Sequence, residues 1–194
     1  MNNTQAATRT IRCGVLGDPA PDAGRTALQT ALSDMLALER RIKAPIAQQL
    51  EAHESTASAD AARAIARIDI MADVHIRGLE ELVPVTGTAE VPKTERADAH
   101  GAELSASLRD DYAILSLAAI GYTMLRTTAL GFGDVPAAAL AKQHFDDVAG
   151  VVTEISRIMP AVVLQELLDD GLDISAEVRQ RALRNTHESW RSKP

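Results

Sequence analysis

The sequence predicts an all-α protein in which four long helices pack as a bundle. Hydrophobic residues make up 46% of the 194 residues but aromatic residues only 3%, a composition that favours helix because aromatic side chains are preferred in strands. Four segments place apolar residues at alternating spacings of three and four, the period of a helix that buries one face. Residues 84–95, with two prolines and three threonines, follow the second helix and are long enough to cross the bundle before the third.

The first helix is predicted from Thr26 to about His53, with Gln29 as the capping-box partner of Thr26. Pro45 lies inside this helix and removes one backbone hydrogen bond, so a kink is expected there. The apolar residues that repeat at spacings of three and four form a row on the buried face of the helix, which we call its seam. Glu39 interrupts the otherwise apolar seam of the first helix, where a buried charge needs a partner. The seam consists of Leu28, Leu32, Met35, Glu39, Ile42 and Ile46.

Three more helices are predicted after a short turn at residues 54–58. They cover residues 59–82, residues 97–130 and a segment that ends near Pro160, which is opened by Asp134 or its neighbour as N-cap. Each helix has a seam, and two of the seams include a histidine. The seams are Ile65, Ile68, Ala72, His75, Leu79 and Leu82; then Leu104, Leu108, Asp111, Leu115, Ala118, Tyr122, Leu125 and Ala129; then Ala141, His144, Val148, Val151, Ile155 and Ile158.

The two ends of the chain are predicted to lie outside the bundle, which then spans residues 25–160. Residues 1–24 hold glycines and prolines without helical periodicity, and we expect a flexible tail there. Pro160 is expected to kink or end the fourth helix. Residues 161–194 then form a helical extension, with a stop at Gly171 and a last helix beyond it. The apolar residues of this extension are expected to pack against a second copy, which gives a homodimer.

Composition and charge narrow the range of partners and compartments. The formal net charge of −7 argues against nucleic acid as a partner, because nucleic-acid binding needs a basic face. The single cysteine, Cys13, excludes an internal disulfide. No stretch is expected to supply the roughly 18 apolar residues of a membrane span, and the N-terminus lacks the apolar block of a signal peptide. We therefore expect a cytoplasmic protein with neither nucleic acid nor membrane as partner.

Three short fragments, one on each of the first three helices, share a pattern. Residues 32–42, LSDMLALERRI, are similar to L-x-D-L-x-x-A-E-x-x-L/I; residues 75–80, HIRGLE, to H-V-x-R-L-E; and residues 121–126, GYTMLR, to G-Y-x-x-L-R. In this order the three patterns resemble the YciE/YciF-type ferritin-like stress proteins of bacteria. The resemblance implies a ferritin-like four-helix bundle with helices in the order up, down, down, up, often dimeric, and with a di-metal carboxylate site.

The ligands of such a site are only partly present. A di-metal carboxylate bundle takes a Glu from each of two helices and a Glu-x-x-His from each of the other two. No Glu-x-x-His occurs in the chain, and Ala118 stands where the resemblance implies the Glu of the third helix. Counted from the loops, Glu39, His75, His144 and Asp147 fall within about 10 Å of one level. The four residues are a plausible set for one divalent ion, iron, manganese or zinc, but not for two.

Each of these residues also has a purely structural interpretation, and both interpretations stay open. Glu39 is either a metal ligand or the hydrogen-bonded relic of a lost site. His75 and His144 are either ligands or core histidines, one of which pairs with Glu39. Tyr122 is expected to be a core residue whose hydroxyl binds a seam carboxylate. Of the remaining polar residues, Asp111 is expected on the flank of its helix, either in a salt bridge or in contact with water. His53, His100 and His187 are expected at the surface.

Two classes of function follow from these alternatives. In the first, the chain is a metal-binding ferritin-like protein, related to oxidative or general stress, with a degenerate or reduced site. In the second, the site binds no metal and the bundle is a structural or interaction module that forms a homodimer. No catalytic motif is complete, and no Ser or Cys nucleophile has a recognisable setting, so the sequence favours a protein without catalytic activity.

Overall fold

The computed structural model describes residues 21–54, 57–83 and 103–189, with side chains between residues 25 and 184 of these ranges. The described residues form six α-helices and no strand. The predicted all-α class is therefore confirmed. The helices are α1 (Pro21–Lys43), α2 (Ile46–Ala52), α3 (Ala59–Leu82), α4 (Leu104–Gly131), α5 (Val135–Asp169) and α6 (Ala176–Ser189).

Four of the helices pack around one core in a bundle-like arrangement. α1 lies against α3 and α4, and α5 lies against the same two helices. Contacting residues run in opposite order along three of these pairs, so each of the three is antiparallel: Glu39–His75 and Lys43–Asp73 for α1 and α3, Arg67–Glu154 and His75–Asp147 for α3 and α5, and Tyr122–His144 and Ser105–Glu166 for α4 and α5. α3 and α4 therefore point in the same direction although they are consecutive, and α1 is antiparallel to both. The predicted crossover, residues 84–95, lies outside the described residues.

The core is built from the predicted seams. Every residue of the first and third seams is buried, including Glu39 and Asp111. The second and fourth seams are also buried except for their last residues, Leu82 and Ile158, which are half-buried. Because burying a Leu or Ile side chain contributes about 1.5–3 kcal/mol, the apolar seams are the main source of stability in the bundle.

The first predicted helix differs from the structure at its start and at Pro45. α1 begins at Pro21, where proline is favoured because the first helical N–H groups have no intrahelical partner. Thr26 lies inside the helix, and the Thr30 hydroxyl donates to its carbonyl at 3.0 Å, so the predicted capping box is wrong. At Pro45 the helix is interrupted, with α1 ending before it and α2 beginning after it. Residues 1–20 of the predicted tail lie outside the described residues.

The start of α4 is fixed by a residue of α5. The helix begins at Leu104, and Glu103 precedes it with an extended backbone, φ −60° and ψ 146°. Residues 97–102 of the predicted helix lie outside the described residues. The Glu166 carboxylate accepts a hydrogen bond of 2.8 Å from the backbone N–H of Ser105. This carboxylate satisfies one of the N–H groups that a helix leaves unpaired in its first turn. Since Glu166 is distant in the chain, no local pattern around α4 marks this boundary.

α5 continues through Pro160 to Asp169, so Pro160 does not end the helix. Pro160 removes a single backbone hydrogen bond, and the helix beyond it is held by tertiary contacts. Val162 is buried at 4% exposure, and Glu166 binds the start of α4. The second half of α5 therefore belongs to the bundle, and the chain leaves α5 only at Gly171, whose φ of +84° suits glycine.

α4 also corrects the expectation that no segment could span a membrane. By length and composition alone, α4 is the one helix in the described part of the chain that could do so. The reason is that no charged residue lies between Asp111 and Arg126. Core helices of soluble proteins meet the same criterion, and α4 packs against both α1 and α5.

Replacing Glu166 with alanine should destabilise the fold, because it leaves an N–H of the first turn of α4 unpaired. We expect the free energy of unfolding to fall by about 1 kcal/mol, the usual effect of losing a helix cap. Urea unfolding followed by circular dichroism measures the change. Glu81→Ala, at an exposed position near the end of α3, is the control, with an expected change within about 0.5 kcal/mol. Equal stability of the two variants would contradict the capping role.

Candidate functional site

A chain of hydrogen bonds crosses the bundle and joins α1, α3, α4 and α5. At its centre is Glu39, which is completely buried at 0% exposure. His75 Nδ1 lies 2.9 Å from Glu39 Oε1, and the Tyr122 hydroxyl donates to the same oxygen at 2.6 Å. A buried carboxylate is strongly unfavourable without donors. His75 and Tyr122 are therefore what allows Glu39 to occupy a seam position.

The Tyr122 hydroxyl extends the chain to α5. Its single hydrogen points to Glu39, so its oxygen acts as an acceptor toward His144, whose Nδ1 lies 3.1 Å away. His144 in this assignment carries its proton on Nδ1 and donates it to Tyr122. The prediction that Tyr122 binds a seam carboxylate is confirmed, and the structure adds His144 as its second partner.

The two histidine rings are stacked face to face. Their centroids lie 3.8 Å apart with 17° between the planes, and each ring meets the edge of Tyr122. Gly78 on α3 makes room for this stack. A Cβ atom at Gly78 would lie 3.4 Å from two atoms of the His144 ring and 3.0 Å from Leu140 Cδ1. No sequence pattern marks Gly78 as part of the site, because a glycine in a helix gives no sign of which side chain it faces.

Burial and neighbouring groups fix the protonation of Tyr122 and His144 near neutral pH. Burial, the Glu39 charge and the hydrogen bond to Glu39 raise the pKa of Tyr122 far above its usual value of 10. Burial and the neighbouring His75 lower the pKa of His144 to about 3, from 6.5. At pH 7 Tyr122 is therefore a protonated phenol and His144 a neutral imidazole.

Asp147, the fourth residue predicted as a metal ligand, lies at the edge of the network. Its Oδ2 is 3.5 Å from His75 Nε2, and its side chain is 48% exposed. Two buried atoms of the network, Glu39 Oε2 and His75 Nε2, have no hydrogen-bond partner among the described residues. These two atoms are the positions at which a water molecule or an ion could still bind.

The structure brings the four predicted ligands together, but their present arrangement does not fit a metal ion. The Nδ1 atoms of His75 and His144 face Glu39 and Tyr122. Imidazole nitrogens bind metals in the plane of the ring, so two nearly parallel rings 3.8 Å apart do not aim at one point. No three His, Cys, Asp or Glu side chains of the described residues are arranged to hold a metal ion. A di-metal centre also lacks the carboxylates it needs, since Ala118 provides none.

Two further polar residues, His53 and Asp111, are more buried than the sequence predicted. His53 is 6% exposed, with its Nε2 3.4 Å from the Ser107 hydroxyl, and Asp111 is 2% exposed. The expectation for Asp111 was based on its charge, whereas its seam spacing already placed it inward. The expectation for His53 was based on its position near a helix end, whereas the C-cap of α2 packs against Ser107 of α4. The side chains of His100 and His187 lie outside the described residues.

Comparison with known proteins adds no family to this description. No family model, no curated protein and no solved structure matches the chain. The interpretation of the network therefore depends on its own geometry.

Replacing Tyr122 with phenylalanine should destabilise the fold by about 1–3 kcal/mol, because the change removes a donor to Glu39 and the acceptor for His144. Urea unfolding measures the loss. Tyr112→Phe is the matched control, since Tyr112 is half-buried on the same helix and no hydroxyl of the network is removed. Its free energy of unfolding should change by about 0.5 kcal/mol or less. Similar losses in both variants would show that the hydrogen bonds of Tyr122 do not matter.

The low pKa of His144 predicts that stability decreases as the pH falls below 6.5. Between about pH 3, the pKa in the folded chain, and pH 6.5, unfolding takes up a proton, so acid favours the unfolded state. One such group changes the free energy of unfolding by up to about 1.4 kcal/mol per pH unit. His144→Gln removes the group. The stability difference between wild type and this variant, measured by urea unfolding at pH 7 and pH 4.5, should therefore shrink at the lower pH; an unchanged difference would contradict the assignment.

Proposed function

We propose that the chain is a ferritin-like bundle whose metal site has been replaced by a hydrogen-bonded network, and that it acts in the cytoplasm as a structural or interaction module that forms a homodimer. The observation that carries this proposal is the geometry around Glu39. One carboxylate oxygen takes hydrogen bonds from both His75 and Tyr122, and His144 is attached through the same tyrosine. Three of the four candidate ligands, Glu39, His75 and His144, are instead joined by hydrogen bonds, directly or through Tyr122.

The directions of the helices support the ferritin-like part of the proposal. α1 and α5 point one way and α3 and α4 the other, which is the order up, down, down, up that the resemblance implies. The three similar fragments also lie on α1, α3 and α4, and each contributes a residue to the network: Glu39, His75 and Tyr122. A role in stress follows from the resemblance alone.

The network is well suited to a structural role. Buried polar groups that can be satisfied in only one arrangement select one alignment of helices over others that bury similar apolar area. A shift of α1 by one turn, about 5.4 Å, would separate Glu39 from both His75 and Tyr122. The network therefore opposes sliding of the helices, which apolar seams with repeated spacing permit.

A single-ion site is the second candidate, and one observation favours it. Glu39 Oε2 and His75 Nε2 are buried without hydrogen-bond partners, and Asp147 Oδ2 lies 3.5 Å from that nitrogen. An ion bound there would use Glu39, His75 and Asp147. At least one of these side chains would have to change its rotamer, because no three His, Cys, Asp or Glu side chains among the described residues are arranged to hold a metal ion.

Elemental analysis of the full chain, purified without chelator, distinguishes the two candidates. The proposal predicts much less than one equivalent of iron, manganese or zinc per chain, and no uptake on titration with Zn²⁺ or Co²⁺. Glu39→Ala should lower the free energy of unfolding by about 3 kcal/mol or more, because it leaves His75 and Tyr122 buried without their acceptor.

Asp147→Ala is the matched variant, since it removes a carboxylate at the edge of the same site. Under our proposal the metal content of this variant should equal that of the wild type. Its free energy of unfolding should change by no more than about 0.5 kcal/mol. One equivalent of metal in the wild type that is lost in both Glu39→Ala and Asp147→Ala would overturn the proposal and establish the single-ion site.

A further inference from the structure

The outer face of α4 carries apolar residues that the bundle does not cover. Leu117, Ile120 and Met124 are 56%, 61% and 65% exposed, and Ala113 completes the row one turn earlier. We call these four residues the outer α4 strip. Their spacings of four, three and four place them on one face, opposite the inward seam. A helix that is apolar on both faces is expected to be covered on both.

We propose that the outer α4 strip is the surface through which two copies of this chain pair, with their α4 helices antiparallel. The inference rests on the homodimer in the proposed function and names its contact. It also differs from the expectation that the C-terminal extension forms the contact. Val162 of that extension is buried in the bundle, whereas Val178 and Leu183 of α6 are 54% and 37% exposed, so α6 is the competing surface in the test.

Charge restricts where two copies can meet. The chain has a formal net charge of −7, so two copies repel each other wherever their charged surfaces face each other. Between Asp111 and Arg126 there is no charged residue, and this uncharged length contains the whole strip. Two copies can therefore meet here without bringing like charges together. The same negative charge opposes binding to an anionic lipid surface, which attracts basic segments.

The strip is also self-complementary. Its spacing is symmetric about the point between Ala118 and Ala119, so a two-fold axis at this point places Leu117 against Ile120 of the second copy, and Ala113 against Met124. A small residue then faces a large one at each end, the arrangement that lets side chains interdigitate. Pairs of this kind, in which one surface meets itself, are the usual interface of two-fold dimers.

The size of the strip predicts a weak dimer. From Ala113 to Met124 the helix rises about 17 Å, and a strip of this length and about 10 Å wide is small compared with the roughly 800 Å² per partner of a standard interface. We therefore expect association that depends on protein concentration.

Sedimentation equilibrium of the full chain from roughly 1 μM to 1 mM tests the proposal. The average mass should rise from 20.7 kDa toward twice that value as the concentration increases. Ile120→Lys should stay at the single-chain mass throughout. Ile70→Lys is the matched control, because Ile70 is 66% exposed but lies on α3, and it should associate as the wild type does. Circular dichroism should show the same helix content for both variants.

Mixed cysteine variants test the orientation without relying on Ile120→Lys. With Cys13 replaced by serine, a chain carrying Ala113→Cys mixed with a chain carrying Met124→Cys should form a disulfide-linked pair under mild oxidation. Neither variant alone should do so at a comparable rate, since each position lies about 16 Å from its own counterpart along the antiparallel pair.

Four results would overturn the proposal. They are a single-chain mass at all concentrations, an Ile120→Lys variant that still associates, self-linking of Ala113→Cys alone, and co-sedimentation of a monomeric chain with phosphatidylcholine vesicles that Ile120→Lys abolishes. If Ile120→Lys still associates but a chain that lacks the residues after Gly171 does not, the dimer contact lies in α6. The proposed homodimer is then supported, and only the assignment of its contact to the outer α4 strip fails. The metal content of the chain bears on the network around Glu39 and not on this surface.

Discussion

The arrangement of the helices depends on one buried carboxylate. Glu39 lies in the middle of an apolar seam, where an unpaired charge would be strongly unfavourable. Its two donors come from two different helices, His75 on α3 and Tyr122 on α4. α5 also joins the network, because His144 is hydrogen-bonded to the Tyr122 hydroxyl. A single side chain of α1 therefore sets how all four helices are aligned along the bundle axis.

The same requirement explains the small residues around the site. Gly78 leaves room for the His144 ring and Leu140. Gly121 allows Met35 to lie directly against the backbone of α4, where any Cβ atom would collide with the methionine sulfur. Close approach at these two positions brings the helices near enough for short hydrogen bonds across the core. Packing and polar contacts thus support each other, because neither is possible without the other.

α4 differs from the other helices in having two apolar faces. Its inner face supplies Tyr122 to the network, while its outer strip is exposed. The inner face packs in the core of the bundle, whereas Leu117, Ile120 and Met124 of the outer strip are mostly exposed. One face of α4 is held by the hydrogen bond from Tyr122 to Glu39. A second copy bound to the outer strip would therefore contact a helix whose position is set by the network.

The sequence alone determined the helices, the seams and the composition of the site. The spacing of three and four is local, so it placed Glu39, His75 and His144 on buried faces without knowledge of the fold. It also placed Tyr122 near a seam carboxylate, and the caps at Ser58 and Asp134 follow from short-range chemistry.

Only the tertiary structure decided what these residues do together. Glu166 caps α4 from a distant part of the chain, and contacts beyond Pro160 carry α5 past a residue that often ends a helix. The stacking of His75 on His144 depends on the angle and distance between α3 and α5. No sequence spacing encodes these quantities, because they arise from packing of side chains between helices. For this reason the sequence identified the candidate metal ligands, whereas the structure showed Glu39 hydrogen-bonded to His75 and linked to His144 through Tyr122.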